Sequence, residues 1–253
     1  MLLLQDQGRL IKPAEHQPAF DDEFAPISLG YYTRDATPQE LDKSEIQAQL
    51  QHLKVPAEII GQAFTRLNNW QEGRFVSDSW LSLQQFLMQL ESAGLTEEEL
   101  HILAQARLKL AGSCPDSKFE PIEAGLISTT VQEFALYLKA AAAFYAGNFN
   151  EAVEGFKSLS QIKTAWVGQI ALCMMGRVYL NLAQQGATDS WGLFAKDAIN
   201  TAQLTNASLA FNAYLTLYPQ GIYAASAKGL ARKITWLGQN QADLIAVYGS
   251  THY

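Results

Sequence analysis

Imidazoles and thiols, the side chains that most readily move protons or hold metals near neutral pH, are few in this chain. They are His16, His52, His101 and His252, with Cys114 and Cys173. No histidine stands four residues from another, and none shares a short motif with a cysteine. The spacings that mark zinc proteases, redox dithiols, nucleophile elbows and phosphate-cradling loops (HExxH, CxxC, GxSxG and GxxxxGK) are absent from the sequence. Glu97 and His101 in "GLTEEELH" lie one helical turn apart, a ligand-like separation. The same residues also form the acidic first turn of a capped helix, which is the reading favoured. Asp21-Asp22-Glu23 reads as a solvated run, because no second oxygen cluster follows at ligand spacing. The acids of 91–99 are neighbours in sequence, whereas paired catalytic carboxylates must oppose each other across a cleft. No catalytic residue, metal site or cofactor is therefore assigned, and an enzymatic role has no motif behind it.

Two cysteines are too few for a disulfide framework. Cys173, in the apolar "ALCMMG", reads as a small buried hydrophobe, and Cys114 lies in the loop-like "GSCPDS". Their pairing, which needs Cα atoms within about 7 Å, stays open.

The elements that must position any site come next. A chain of 253 residues, 48% hydrophobic and 11% aromatic, has ample material for one large or two modest domains and is not disordered over most of its length. Residues 1–130 hold 10 Lys/Arg against 19 Asp/Glu, a net of −9, while 131–253 hold 8 against 6, a net of +2. No dense basic face is visible, which disfavours nucleic acid as a partner. No apolar run reaches the roughly 18–20 residues that cross a bilayer. "MLLLQDQG" turns polar after three leucines and is not a signal peptide as written. A cytosolic protein and one whose leader has been removed both fit that opening.

Residues 1–35, with Pro13, Pro18 and Pro26 and no sustained period, read as an extended lead-in. Residues 36–112 read as an N-terminal domain of antiparallel helices. Thr37-Pro38-Gln39-Glu40 caps the first, which carries Leu41, Ile46, Leu50 and Leu53. Pro56 opens the second, with Ile59, Ile60, Ala63, Phe64 and Leu67 on one face. Ser77-Asp78 opens the third, striped by Leu83, Phe86, Leu87 and Leu90. A capping box from Thr96 to Glu99 starts the fourth, which runs to about Ala111 on Leu100, Leu103, Ala104, Arg107 and Leu108. Residues 113–130 read as a linker, and Leu126–Thr130 within it has strand character.

The stretch "AAAAFYAGNFNEAVEGFKSL" changes the pattern. Two helices cross closely only where small side chains meet, so stacked helix pairs repeat small and bulky residues at fixed offsets. Ala140–Ala143 would be a crossing face, Gly147-Asn148 the turn, and Ala152 with Phe156 the small-then-large pair of the next helix. Leu172, Met175, Gly176 and Tyr179 repeat the first-helix spacing. Ala207, Phe211, Tyr214 and Pro219 repeat the second, after an inserted segment near 184–203 that itself looks helical. A degenerate third unit runs from Tyr223 to about Tyr248.

Residues 131–253 thereby resemble tetratricopeptide repeats. "YLTLYPQGIYAASAKGLARKITWL" is similar to a junction found in such proteins of the Gram-negative cell envelope, among them the outer-membrane assembly lipoprotein and the periplasmic coordinator of the Tol–Pal system. Gly221 stands where those families usually carry Ser or Asn. The resemblance implies an all-α fold with hairpins stacked as a right-handed solenoid behind an N-terminal helical segment. It also implies a non-catalytic protein-binding scaffold in the periplasm or at the outer membrane, peripheral to a membrane and without a transmembrane segment. Its ligand surface would be the inner face of the first helices: Phe134, Tyr137, Phe144 and Tyr145, then Cys173, Arg177, Leu180 and Asn181, then Lys228, Arg232 and Trp236. Aromatics mixed with cations suit an extended peptide, acidic ones included, because Arg pairs bidentately with carboxylate. The competing expectation for Phe134, Phe144 and Leu180 is that the N-terminal half or the inserted helix covers them. The rival functions are an enzyme or small-molecule-binding protein with a pocket between the two halves, and a cytosolic regulator built on the same repeats.

Overall fold

A computed structural model describes residues 43–68, 76–111, 128–162, 164–187 and 195–238. Among the described residues the chain is all-helical, without strands. Four described helices belong to the N-terminal half: α1 (Lys43–His52), α2 (Ala57–Asn68), α3 (Val76–Ser92) and α4 (Glu97–Ala111). Five follow: α5 (Thr129–Tyr145), α6 (Phe149–Leu159), α7 (Ala165–Gln184), α8 (Thr201–Leu217) and α9 (Ala224–Leu237). The expected lead-in at 1–35, the Thr37-Pro38 cap, Cys114 and the linker up to residue 127 lie outside the described residues.

Local chemistry explains where these helices begin. The Thr96 backbone N–H donates to the Glu99 carboxylate at 2.9 Å, and the Glu99 N–H donates back to the Thr96 hydroxyl at 3.3 Å. Both orphan donors of the first turn of α4 are thus satisfied reciprocally. The stripe of α3 is fully inside, with Leu83, Phe86, Leu87 and Leu90 all at 0% exposure.

Ser128 caps α5 by accepting the Val131 N–H, so Thr129 and Thr130 form the helix's first turn. This corrects the strand character expected at Thr129 and Thr130, while Leu126 and Ile127 lie outside the described residues. The β-branched pair is overridden by the cap and by helically spaced Val131, Phe134 and Leu138, all buried.

Between α5 and α6 the chain reverses through Gly147, whose φ of +79° lies in the left-handed region that favours glycine. There the Asn148 N–H donates to the Ala143 carbonyl at 2.9 Å. Of the inserted segment expected to be helical, residues 188–194 lie outside the described residues, Lys196–Ala198 form a 3₁₀ turn, and 201–203 are the first turn of α8. Ala195 N–H bonds the Ala187 carbonyl at 2.8 Å and Asn200 N–H bonds that of Ala183 at 2.9 Å. These bonds bring the start of α8 back to the end of α7.

In the C-terminal half each helix packs on the next, from α5 through α9, and α5 also touches α7. The small residues sit at these crossings. A Cβ placed on Gly155 of α6 would lie 2.7 Å from the Ala140 Cβ of α5, and one on Gly176 of α7 would lie 2.7 Å from the Phe211 ring of α8. Ala152 and Ala207 are at 0% exposure.

The two halves share one core. Phe86 of α3 meets Phe134 edge-on (centroids 5.6 Å apart), Trp166 edge-on at 5.9 Å and Tyr137 stacked at 6.1 Å. Buried residues from Ile46 to Val178 form one continuous apolar cluster.

Candidate functional site

The face expected to bind is carried by α5, α7 and α9. Phe134 and Tyr137 are buried, at 0% and 5% exposure, beneath Phe86 and Trp166. Cys173 and Leu180 are each 2% exposed and Phe144 is 5% exposed. Tyr145 stands exposed at the end of α5, edge-on to Phe144. Arg177 is half-buried and donates from Nη2 to the Ser226 hydroxyl at 3.1 Å, tying α7 to α9. Asn181, also half-buried, donates to the Arg177 carbonyl at 2.8 Å within its own helix. Lys228 is exposed while Arg232 and Trp236 are half-buried, the three recurring every four residues along one stripe of α9.

The structure therefore gathers Tyr137, Cys173 and Arg177 into one polar pocket of the packing, joined by Tyr223 and Ser226. Burial pushes the Tyr137 hydroxyl well above the ordinary tyrosine range, against the pull of the Arg107 and Arg177 guanidiniums. Burial does the same to Tyr223, against the Trp166 N–H that donates to its oxygen. Burial also raises the Cys173 thiol, and Arg177 opposes that shift. All three groups stay protonated at neutral pH. Cys173 is a free, buried thiol and not a thiolate nucleophile. Protonated hydroxyls beside guanidiniums can hold an anion by hydrogen bonds, but they make a poor general base. Lys233, on α9, is lowered by burial to about 8.

The contacts that several residues of this region make are not marked by sequence spacing. Arg107, 5% exposed, donates to Ser82 at 3.2 Å and lies over the Phe86 ring at 6.0 Å. An arginine on the apolar stripe of α4 was the available signal for it. Glu133, 8% exposed on α5, accepts both the backbone N–H and the hydroxyl of Thr164 at the start of α7. The Tyr214 hydroxyl accepts Gln169 Nε2 at 3.2 Å and the Tyr223 N–H at 3.0 Å, while Trp166 Nε1 donates to the Tyr223 hydroxyl at 3.1 Å. A Cβ on Gly221 would drive into Gln169, the Tyr214 hydroxyl and, at 2.8 Å, the Tyr218 Cβ. That crowding accounts for glycine at position 221.

Other candidates resolve into local structure. Glu97 pairs with Lys54 at 3.1 Å on the surface, and His101 Nδ1 lies 3.0 Å from the Leu53 carbonyl, so both brace the α1–α2 turn against α4. An open depression of about 520 Å³ lies between the α5–α6 turn, Gly147–Glu151, and the end of α7 at Leu182 and Gln185. Among the described residues, no helix is long and apolar enough to cross a membrane. No protein-family model, curated protein or solved structure matches this chain.

Proposed function

We propose that this chain is a non-catalytic scaffold for protein–protein interaction, its C-terminal helices forming a tetratricopeptide-like right-handed solenoid that works in the bacterial envelope, in the periplasm or at the outer membrane. The observation that carries this reading is the recurrence of one packing device. Gly155 against Ala140 and Gly176 against Phe211 each set a helix pair at close range through a missing side chain. Repeating that device along a chain is how hairpins stack into an array. Support also comes from the links between first helices: Tyr137 of α5 meets Trp166 of α7 edge-on at 5.2 Å, and Arg177 of α7 bonds Ser226 of α9.

The partner surface is then the part of that inner face left accessible: Tyr145, Arg177, Asn181, and the α9 stripe of Lys228, Arg232 and Trp236. Tyr137 contributes from beneath by holding α5 and α7 in register. Two cations and an indole along one helix suit an extended peptide with carboxylate groups. The envelope location rests on the similarity of "YPQGIYAASAKG" to junctions of envelope repeat proteins.

Affinity capture from fractionated native cells tests both parts. A stoichiometric protein should co-purify from the envelope fraction and be lost with Lys228→Glu/Arg232→Glu, while the melting temperature stays unchanged. Capture undiminished by the double variant overturns the groove. Recovery from the cytosol alone overturns the location.

A further inference from the structure

We propose that Arg107, Tyr137 and Arg177 hold a small oxyanion, of the carboxylate or phosphate kind, where α4, α5 and α7 meet. Arg107 is the starting point. It is 5% exposed, and its guanidinium meets the Ser82 hydroxyl at 3.2 Å and lies over the Phe86 ring, 6.0 Å from the centroid. Among the described residues no carboxylate stands within ion-pair range of it. Glu133, the other buried charged residue among them, is turned to Thr164, whose N–H and hydroxyl it accepts. One neutral hydroxyl, with a ring at the outer limit of a cation–π contact, offsets little of the cost of burying a charge.

A second nearly buried group beside it has donor capacity to spare. Tyr137 is 5% exposed, and no hydrogen bond from another described residue reaches its hydroxyl. Its ring is well packed, stacked at 6.1 Å on the same Phe86 that Arg107 covers and edge-on to Trp166 at 5.2 Å. A buried phenol ordinarily finds a partner for its O–H. Burial keeps this one protonated against the pull of Arg107 and Arg177, so both guanidiniums lie near a hydroxyl that can donate. Arg177 arrives from α7, steadied by the Ser226 hydroxyl at 3.1 Å, and is half-buried where Arg107 is closed off. It marks the side from which a solute enters.

Two guanidiniums and a phenol are a set of donors. An oxyanion brings two or more acceptor oxygens to such a set, and its bonds to guanidinium are charge-assisted and can be bidentate. A cation would be repelled from both sides. Arg107 belongs to the N-terminal half, while Tyr137 and Arg177 belong to the C-terminal helices. A bound anion therefore ties the two together and stabilises the folded chain by mass action.

Calorimetric titration of the full chain with sodium acetate and, separately, sodium phosphate, at fixed ionic strength in chloride, tests this. No partner protein is needed, so failure here leaves the scaffold reading standing. At least one of the two anions should bind saturably and raise the melting temperature, and which one does so identifies the oxyanion. Arg107→Met should abolish the binding heat and, with no charge left to bury, should melt no lower than the parent in chloride. Tyr137→Phe keeps the ring and should weaken binding about tenfold, the loss of one hydrogen bond to a charged group. Phosphate also stabilises proteins by exclusion from their surface, and a rise of that origin would be shared by Arg107→Met. No saturable binding of either anion, binding undiminished in Arg107→Met or Tyr137→Phe, or a lower melting temperature of Arg107→Met in chloride overturns the proposal.

Discussion

Single glycines decide how close the helices come, and the same substitution should have opposite signs at two of them. Gly61 is exposed in α2, and a Cβ there would meet nothing within 4 Å. Gly61→Ala should stabilise by about 0.5–1 kcal/mol, because alanine loses less conformational freedom in a helix. Gly176 is buried, and its Cβ would press on three atoms of the Phe211 ring at 2.7–2.8 Å. Overpacking of that kind costs about 1–3 kcal/mol and outweighs the propensity gain. Gly176→Ala should therefore lower the urea midpoint, and Gly176→Ala/Phe211→Leu should lose less than the sum of its parts. Opposite signs at Gly61 and Gly176 would tie the effect to the wedge; equal signs would reduce it to propensity.

At the scale of elements, much of the helical framework was legible in the sequence. The Thr96–Glu99 box and the Gly147 turn act through contacts within about five residues, and the α3 stripe shows in its own helical spacing, so spacing alone carries them. The first turn of α5 was misread because Thr129 and Thr130 favour strands on their own and Ser128 had not been recognised as a cap. The α8–α9 junction shows why some site residues stayed hidden. Its order depends on Tyr214 accepting two donors, one from Gln169 in α7 and one from the Tyr223 backbone. Such a bond joins distant positions through a hydroxyl that sequence spacing does not mark. Tyr214→Phe keeps the buried ring and deletes only that acceptor, stranding both donors. The expected loss is about 1–3 kcal/mol in chemical denaturation, with faster amide exchange at Tyr223. Unchanged exchange there would mean that the packing of α9, and not the hydroxyl, holds the junction.

Across the whole molecule, the meeting of Phe86 with Phe134, Tyr137 and Trp166 is the feature least visible beforehand. Its rings come from three helices in two halves of the chain, and each alone reads as ordinary core. Its consequence is mechanical. In an array where each unit touches only its neighbours, damage at one end opens that end and leaves the rest closed. Here Phe86, at 0% exposure, packs from α3 against rings of both α5 and α7. Phe86→Ala should cost about 3–5 kcal/mol, the range for a buried aromatic truncated in a core. Native-state hydrogen exchange would show how far the loss travels. If α1–α4 and α5–α7 unfold as one cooperative unit, protection should fall in α3, α5 and α7 together. Protection lost in α3 but retained in α5 and α7 would mean that the hairpins stand without the N-terminal helices. In that case the rings of Phe134 and Tyr137, buried in the closed structure, become accessible whenever those helices open.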